Sequence, residues 1–237
     1  MRIVSSYEEI VVTGARRAMG GLLLTILMLI AISAHATERP ERVEFQGRVE
    51  PLSEELKARM TGVSWRPGCP VPLSRLRLLT VTHWGFDSRV HTGELVLHES
   101  VADSVLRVMK RLFTARFPIH KMRLIDEYGG DDFVSIEDNN TSGFNGRRAT
   151  GSRNWSRHAY GLAIDINPIE NPYVNRGRTS HPASEPYLDR STIPPGMAYR
   201  GGILVESFRA IGWNWGGAWT RGIKDYQHFA APGPLPQ

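Results

Sequence analysis

Residues 156–165 read SRHAYGLAID. His158 and Asp165 lie seven residues apart, with Gly161 between them. A glycine there lets the chain turn sharply into a strand. In that strand residues 162, 164 and 166 share one face, and 163 and 165 share the other. Leu162, Ile164 and Ile166 suit a core. Asp165 then points the opposite way, beside the small Ala163, where a carboxylate has room to meet a ligand. The turn can fold His158 back over it.

Downstream, residues 225–229 read DYQHF. Asp225 and His228 face one side if they sit on a turn or helical segment, and opposite sides on a strand. Two histidines and an aspartate make a three-ligand set. Catalytic zinc sites use three such ligands and leave a fourth position for water. Asp225 remains as a spare carboxylate, the feature a general base requires. This spacing also recurs by chance, so a plain turn and strand is the competing reading. The histidines His83, His91, His98, His120 and His181 show no comparable spacing.

The surrounding elements read as α+β: a small antiparallel sheet with flanking helices and long loops. SEELKARMTG (53–62) is a short helix with Ser53 as N-cap and Gly62 just past its end. RLRLLTVTHW (75–84), ELVLH, KMRLI and GLAIDI read as strands. Val101, Val105, Val108, Met109, Leu112, Phe113 and Phe117 recur at helical spacing, and Pro118 stops that helix. DEYGGDD reads as a turn, and ILVESFRAIG as a helix ended by Gly212. Residues 138–155 and 167–201 read as long loops, rich in Asn, Arg, Tyr and Trp, which favours a binding surface over a linker.

The chain has 237 residues and a net charge of +5. No run of five or six like charges and no basic stripe interleaved with aromatics occurs, which disfavours a nucleic-acid partner. A mild basic balance suits an acidic surface or polymer. Arg16 and Arg17, the uncharged run at 20–34 and Ala34-His35-Ala36 have the layout of a secretory signal covering residues 1–36. The expected protein is therefore exported to the periplasm or cell envelope, with no membrane contact after signal removal; a retained anchor is the alternative. Cys69 is the single cysteine, so no internal disulfide forms.

SRHAYGLAID fits S-x-H-x-x-G-x-A-x-D, and DYQHF fits a later D/E-x-x-H-F. Together they resemble the zinc peptidases that include D-alanyl-D-alanine carboxypeptidases and L-alanyl-D-glutamate endopeptidases, whose fold is shared with the hedgehog signalling domain. GFNGRR, NPIENPY and GWNWGGAW also look like segments around that site, and the likeness runs from about residue 70 to 230. The resemblance implies one zinc ion on His158, Asp165 and His228, with Asp225 as base and an arginine opposite the scissile carbonyl. Arg147 is the best match for that arginine and Arg148 its rival. Ser156 matches the motif serine, which would hold the site or substrate by hydrogen bonds. Trp213, Trp215 and Trp219 would wall a groove or pack in the core, Trp215 being the expected substrate contact.

The implied organisation is a signal at 1–36, an N-terminal extension with a short helix at 37–69 and a zinc peptidase domain at 70–237. The implied substrate is a peptidoglycan stem peptide. Aspartate as the base leans toward the L-alanyl-D-glutamate endopeptidase branch. A D-alanyl-D-alanine carboxypeptidase and a non-catalytic, zinc-stabilised wall-binding module are the alternatives. Some relatives carry a cysteine where this chain has Gly146, which would leave Cys69 without its mate.

Overall fold

Strand β1 (Gly47–Pro51) precedes helix α1 (Glu54–Met60), whose N-cap Ser53 accepts from Leu56 N. This computed structural model describes residues 43–220 and 222–233, so the expected signal at 1–36 lies outside the described residues. β2 (Leu76–Trp84) and β3 (Val90–His98) complete a three-stranded antiparallel sheet in the order β1-β2-β3.

Alternation places Leu79, Val81, Leu95 and Leu97 against helix α2 (Glu99–Thr114). The helix answers with Ala102, Val105, Val108, Met109, Leu112 and Phe113, all buried. Each fully buried aliphatic side chain stabilises by roughly 1.5–3 kcal/mol, so this layer anchors the fold. The helix stops at Thr114, ahead of Pro118, and Arg116 turns the chain with φ 53°. On the other face of the sheet, Leu76 and Val96 pack with Leu52, Leu56, Met60, Val71 and Phe144.

The expected KMRLI strand shrinks to β4 (Lys121–Met122), because Ile125 begins a 3-10 turn that runs to Tyr128. The expected DEYGGDD turn forms, with Gly129 and Gly130 at positive φ, and helix α3 (Asp132–Glu137), which the sequence reading lacked, begins at its last residue. Asp131 caps it, accepting from Phe133 N and Val134 N. β5 (Asn140–Thr141) pairs with β4 in parallel.

β6 (Ala163–Asp165), β7 (Tyr173–Asn175), helix α4 (Ile203–Arg209), β8 (Asn214–Trp215), β9 (Ile223–Asp225) and β10 (His228–Ala230) follow. A second antiparallel sheet has the order β6-β10-β8, and β7 pairs with β9. Ile164, Ile166, Leu204, Phe208, Trp213 and Phe229 join the cluster around α2, so one core underlies both sheets. The architecture is α+β with small antiparallel sheets, two of them three-stranded where the sequence suggested one.

Most asparagines of the long loops are internal rather than displayed, Asn154 and Asn175 being the exposed ones. Asn139, Asn140, Asn167 and Asn171 are buried. The Asn167 amide donates to Pro118 O and Gly196 O, and its oxygen accepts from His120 N. Asn171 donates to Ile166 O and Gly196 O and accepts from Ala198 N. A loop without ladder partners leaves peptide groups to be satisfied when it is buried, and these amides satisfy them.

Candidate metal centre

Asp165 and His228 are directly opposed in the β6–β10 register. Opposed residues of an antiparallel pair project from one face within side-chain reach. Asp165 Oδ1 lies 2.9 Å from His228 Nδ1. His158 arrives on a 3-10 turn, Arg157–Tyr160, capped by Ser156, whose hydroxyl accepts from His158 N at 3.3 Å. Gly161 ends that turn with φ 65°, and a Cβ there would lie 2.5 Å from His98 N. Only glycine permits both the dihedral and the approach. The turn brings His158 Nε2 to 3.2 Å from Asp165 Oδ2 and 3.2 Å from His228 Nδ1.

The three ligand atoms lie within 4.8 Å of one another. His158 Nδ1 lies 2.7 Å from Gly143 O, a carbonyl that can only accept, so Nδ1 carries the proton and Nε2 presents its lone pair inward. Two imidazole nitrogens and one carboxylate oxygen are the donor set of a catalytic zinc site with an open position. The electrostatics fit a cation as well. Burial opposes ionisation of Asp165, yet His158 and His228 hold its carboxyl far below the usual range. Burial pulls His228 toward neutrality, and its bond to Asp165 more than reverses this, so the imidazole titrates above its ordinary value.

Asp225 ends β9 and His228 begins β10, so a tight turn between two strands brings them to one site. Asp225 Oδ1 is shielded from solvent and has no hydrogen-bond partner. Burial first, and the neighbouring Asp165 charge second, push the Asp225 carboxyl up to about 7. Gly216 allows the preceding loop to close on it, since a Cβ there would meet Asp225 O at 2.4 Å.

Arg147 Nη2 donates to Asp132 Oδ2 at 2.7 Å, and its Nε is buried without a partner. Its charge reaches the site, where it opposes protonation of His228. Arg148 is engaged elsewhere: it lies over the Trp155 ring at 3.9 Å and donates to Arg153 O. Gly146 lies against the Ser64–Cys69 loop, and a Cβ on it would be 2.6 Å from Cys69 Sγ.

The three tryptophans separate. Trp213 is buried against Phe208. Trp215 stacks on Phe229, and its indole N–H donates to Tyr226 O, so it steadies the turn between Asp225 and His228. Trp219 is 43% exposed, with its ring centroid 5.9 Å from that of His228, which makes it the tryptophan at the mouth. Sequence reasoning missed Asp132. Its signal was Asp131, a helix N-cap followed by Phe133, Val134 and Ile136.

Among the described residues no helix is long and apolar enough to cross a membrane. No curated protein and no solved structure matches the chain. A family model described as D-alanyl-D-alanine carboxypeptidase matches residues 150–231. That segment contains His158, Asp165, Asp225 and His228, and the match bears out the resemblance of this chain to that family of zinc peptidases.

Proposed function

We propose that the protein is an exported zinc peptidase that hydrolyses peptide bonds in peptidoglycan stem peptides. The observation that carries this reading is the convergence of His158, Asp165 and His228 beside Asp225, whose Oδ1 is shielded and has no hydrogen-bond partner. A purely structural metal site has no need of that fourth group.

His158 Nε2, Asp165 and His228 Nδ1 would hold one zinc ion. When bound, zinc supplies Lewis acidity, bringing water toward deprotonation near neutral pH and polarising a carbonyl. Asp225 Oδ1 accepts the proton of the attacking water and delivers it to the leaving amine. Arg147, steadied by Asp132, faces the charge that develops on the former carbonyl oxygen. Donors of this kind typically contribute about 2.7–4 kcal/mol to the barrier. Ser156 serves by holding His158, and Trp219 offers an apolar wall to the substrate chain.

Aspartate in the base position leans toward L-alanyl-D-glutamate endopeptidase activity. The family description favours a second reading, D-alanyl-D-alanine carboxypeptidase. Digestion of defined muropeptides, followed by mass spectrometry, separates them: an endopeptidase frees the whole stem, and a carboxypeptidase removes one alanine. The zinc-loaded chain should yield one of these products and Asp225→Asn neither. A zinc-loaded chain that cleaves no muropeptide, or an Asp225→Asn variant with parental turnover, would contradict the reading.

A further inference from the structure

The charge of this chain is divided unevenly. Residues 1–138 contain 18 basic and 18 acidic side chains, whereas residues 139–237 contain 11 basic and 6 acidic. The whole net charge of +5 therefore belongs to the part that builds the site. Two of those six acids, Asp165 and Asp225, lie within the site itself. Three stretches hold no acid at all: 139–164, 171–184 and 207–224.

These stretches form the banks of the site. The first carries Arg147 and His158. The second includes β7, paired along β9 so that Tyr173 is opposite Asp225. The third carries Trp219, beside His228. On the first bank Arg148 and Arg153 are exposed, and the stack on Trp155 with the Arg148–Arg153 hydrogen bond gives that loop a fixed shape. On the second, Arg176 and Arg178 are exposed at a turn closed by Asn175 N to Arg178 O. No carboxylate among the described residues pairs with any of these four.

We propose that Arg148, Arg153, Arg176 and Arg178 form a basic rim that docks the carboxylate-bearing peptides of the cell-wall polymer on both banks of the site. This rests on the proposed function for the identity of the polymer. Cations at the edge of a cleft raise the local concentration of an anionic ligand by about 10-fold to 10³-fold, and the gain falls with ionic strength. The sign suits the ligand: peptide stems bear several free carboxylates per repeat. Four separated guanidinium groups suit a spread of single charges along a strand.

The test is co-sedimentation of the full zinc-loaded chain with insoluble peptidoglycan, comparing the parent with the triple charge reversal Arg153→Glu, Arg176→Glu, Arg178→Glu. Zinc content and the circular dichroism spectrum confirm that the variant is folded. Binding should weaken about 10-fold in the variant, and similarly for the parent in high salt or on peptidoglycan whose carboxylates have been amidated. Turnover of a short amidated peptide should match the parent. Binding that survives both charge reversal and amidation would overturn the proposal. So would binding only to walls that retain phosphate polymers, or equal competition by a DNA duplex. If the parent binds in this carboxylate-dependent way but cleaves no muropeptide, the proposed function fails and the rim stands. If it cleaves soluble muropeptides while its wall binding ignores charge, the rim fails alone.

Discussion

Asp132 Oδ2 accepts a hydrogen bond from Arg147 Nη2 at 2.7 Å, joining the first turn of α3 to the loop that leads into the His158 turn. An arginine on a loop has many rotamers, and a bidentate-capable partner selects one. Asp132→Asn keeps the shape and removes the charge. It should lower kcat/KM about 10-fold, while Arg147→Ala lowers it about 10²-fold to 10³-fold. The two losses should not add, because the residues act as one unit. If Asp132→Asn costs as much in the Arg147→Ala background as in the parent, Asp132 acts by some other route.

Removal of one ligand should release the metal. His158→Ala leaves one imidazole and one carboxylate, too few for a tight site. Elemental analysis after dialysis should find about one zinc per chain in the parent and almost none in the variant. Metal that binds only the folded state stabilises it by about 2.7 kcal/mol at 100 times its Kd. Chelation should therefore lower the melting temperature of the parent and leave that of His158→Ala unmoved. A chelator-sensitive melting temperature in the variant would count against His158 as a ligand.

Gly161 and Gly177 offer a paired test of local strain. Both have positive φ, at 65° and 78°. A Cβ at Gly177 meets nothing within 4 Å, whereas one at Gly161 lies 2.5 Å from the backbone nitrogen of His98. Gly177→Ala should cost about 1 kcal/mol from the dihedral alone. Gly161→Ala should cost several times as much in urea unfolding and should also weaken zinc binding, because His158 sits on the same turn. Equal losses at the two sites would show that the close approach is relieved without cost.

The cluster of His158, Asp165 and His228 was legible in the sequence, in part because a period of two puts Asp165 off the face of Ile164 and Ile166. The register that opposes Asp165 to His228 was not, since pairing between residues 63 apart depends on the rest of the fold. The three tryptophans share one short string, so only tertiary packing sends Trp213 inward and Trp219 to the surface. The loop asparagines misled for a physical reason. An amide that would suit a binding surface equally suits a buried peptide group, and here Asn167 and Asn171 take the second role. α3 was hidden by Gly129 and Gly130, whose turn signal overlaid the cap at Asp131.

Asp225 makes the stability of the metal-free protein depend on pH. Its carboxyl titrates at about 7 in the fold, against about 4 in an unfolded chain. Between those values the folded state holds a proton that the unfolded state has lost. Stability therefore falls as pH rises from about 4 to 7, and the loss is complete above 7. The neutral amide of the Asp225→Asn variant carries no such penalty. In excess chelator, Asp225→Asn should melt near the parent at pH 4 and clearly above it at pH 8. Zinc should narrow the gap at pH 8, because a cation beside Asp225 favours the carboxylate and removes the parent's penalty. Thermal melts across this range, with and without zinc, measure both. A gap between parent and variant that is the same at pH 4 and pH 8 without metal would mean that Asp225 does not hold its proton in the fold, and its suitability as the proton carrier near neutrality would go with it.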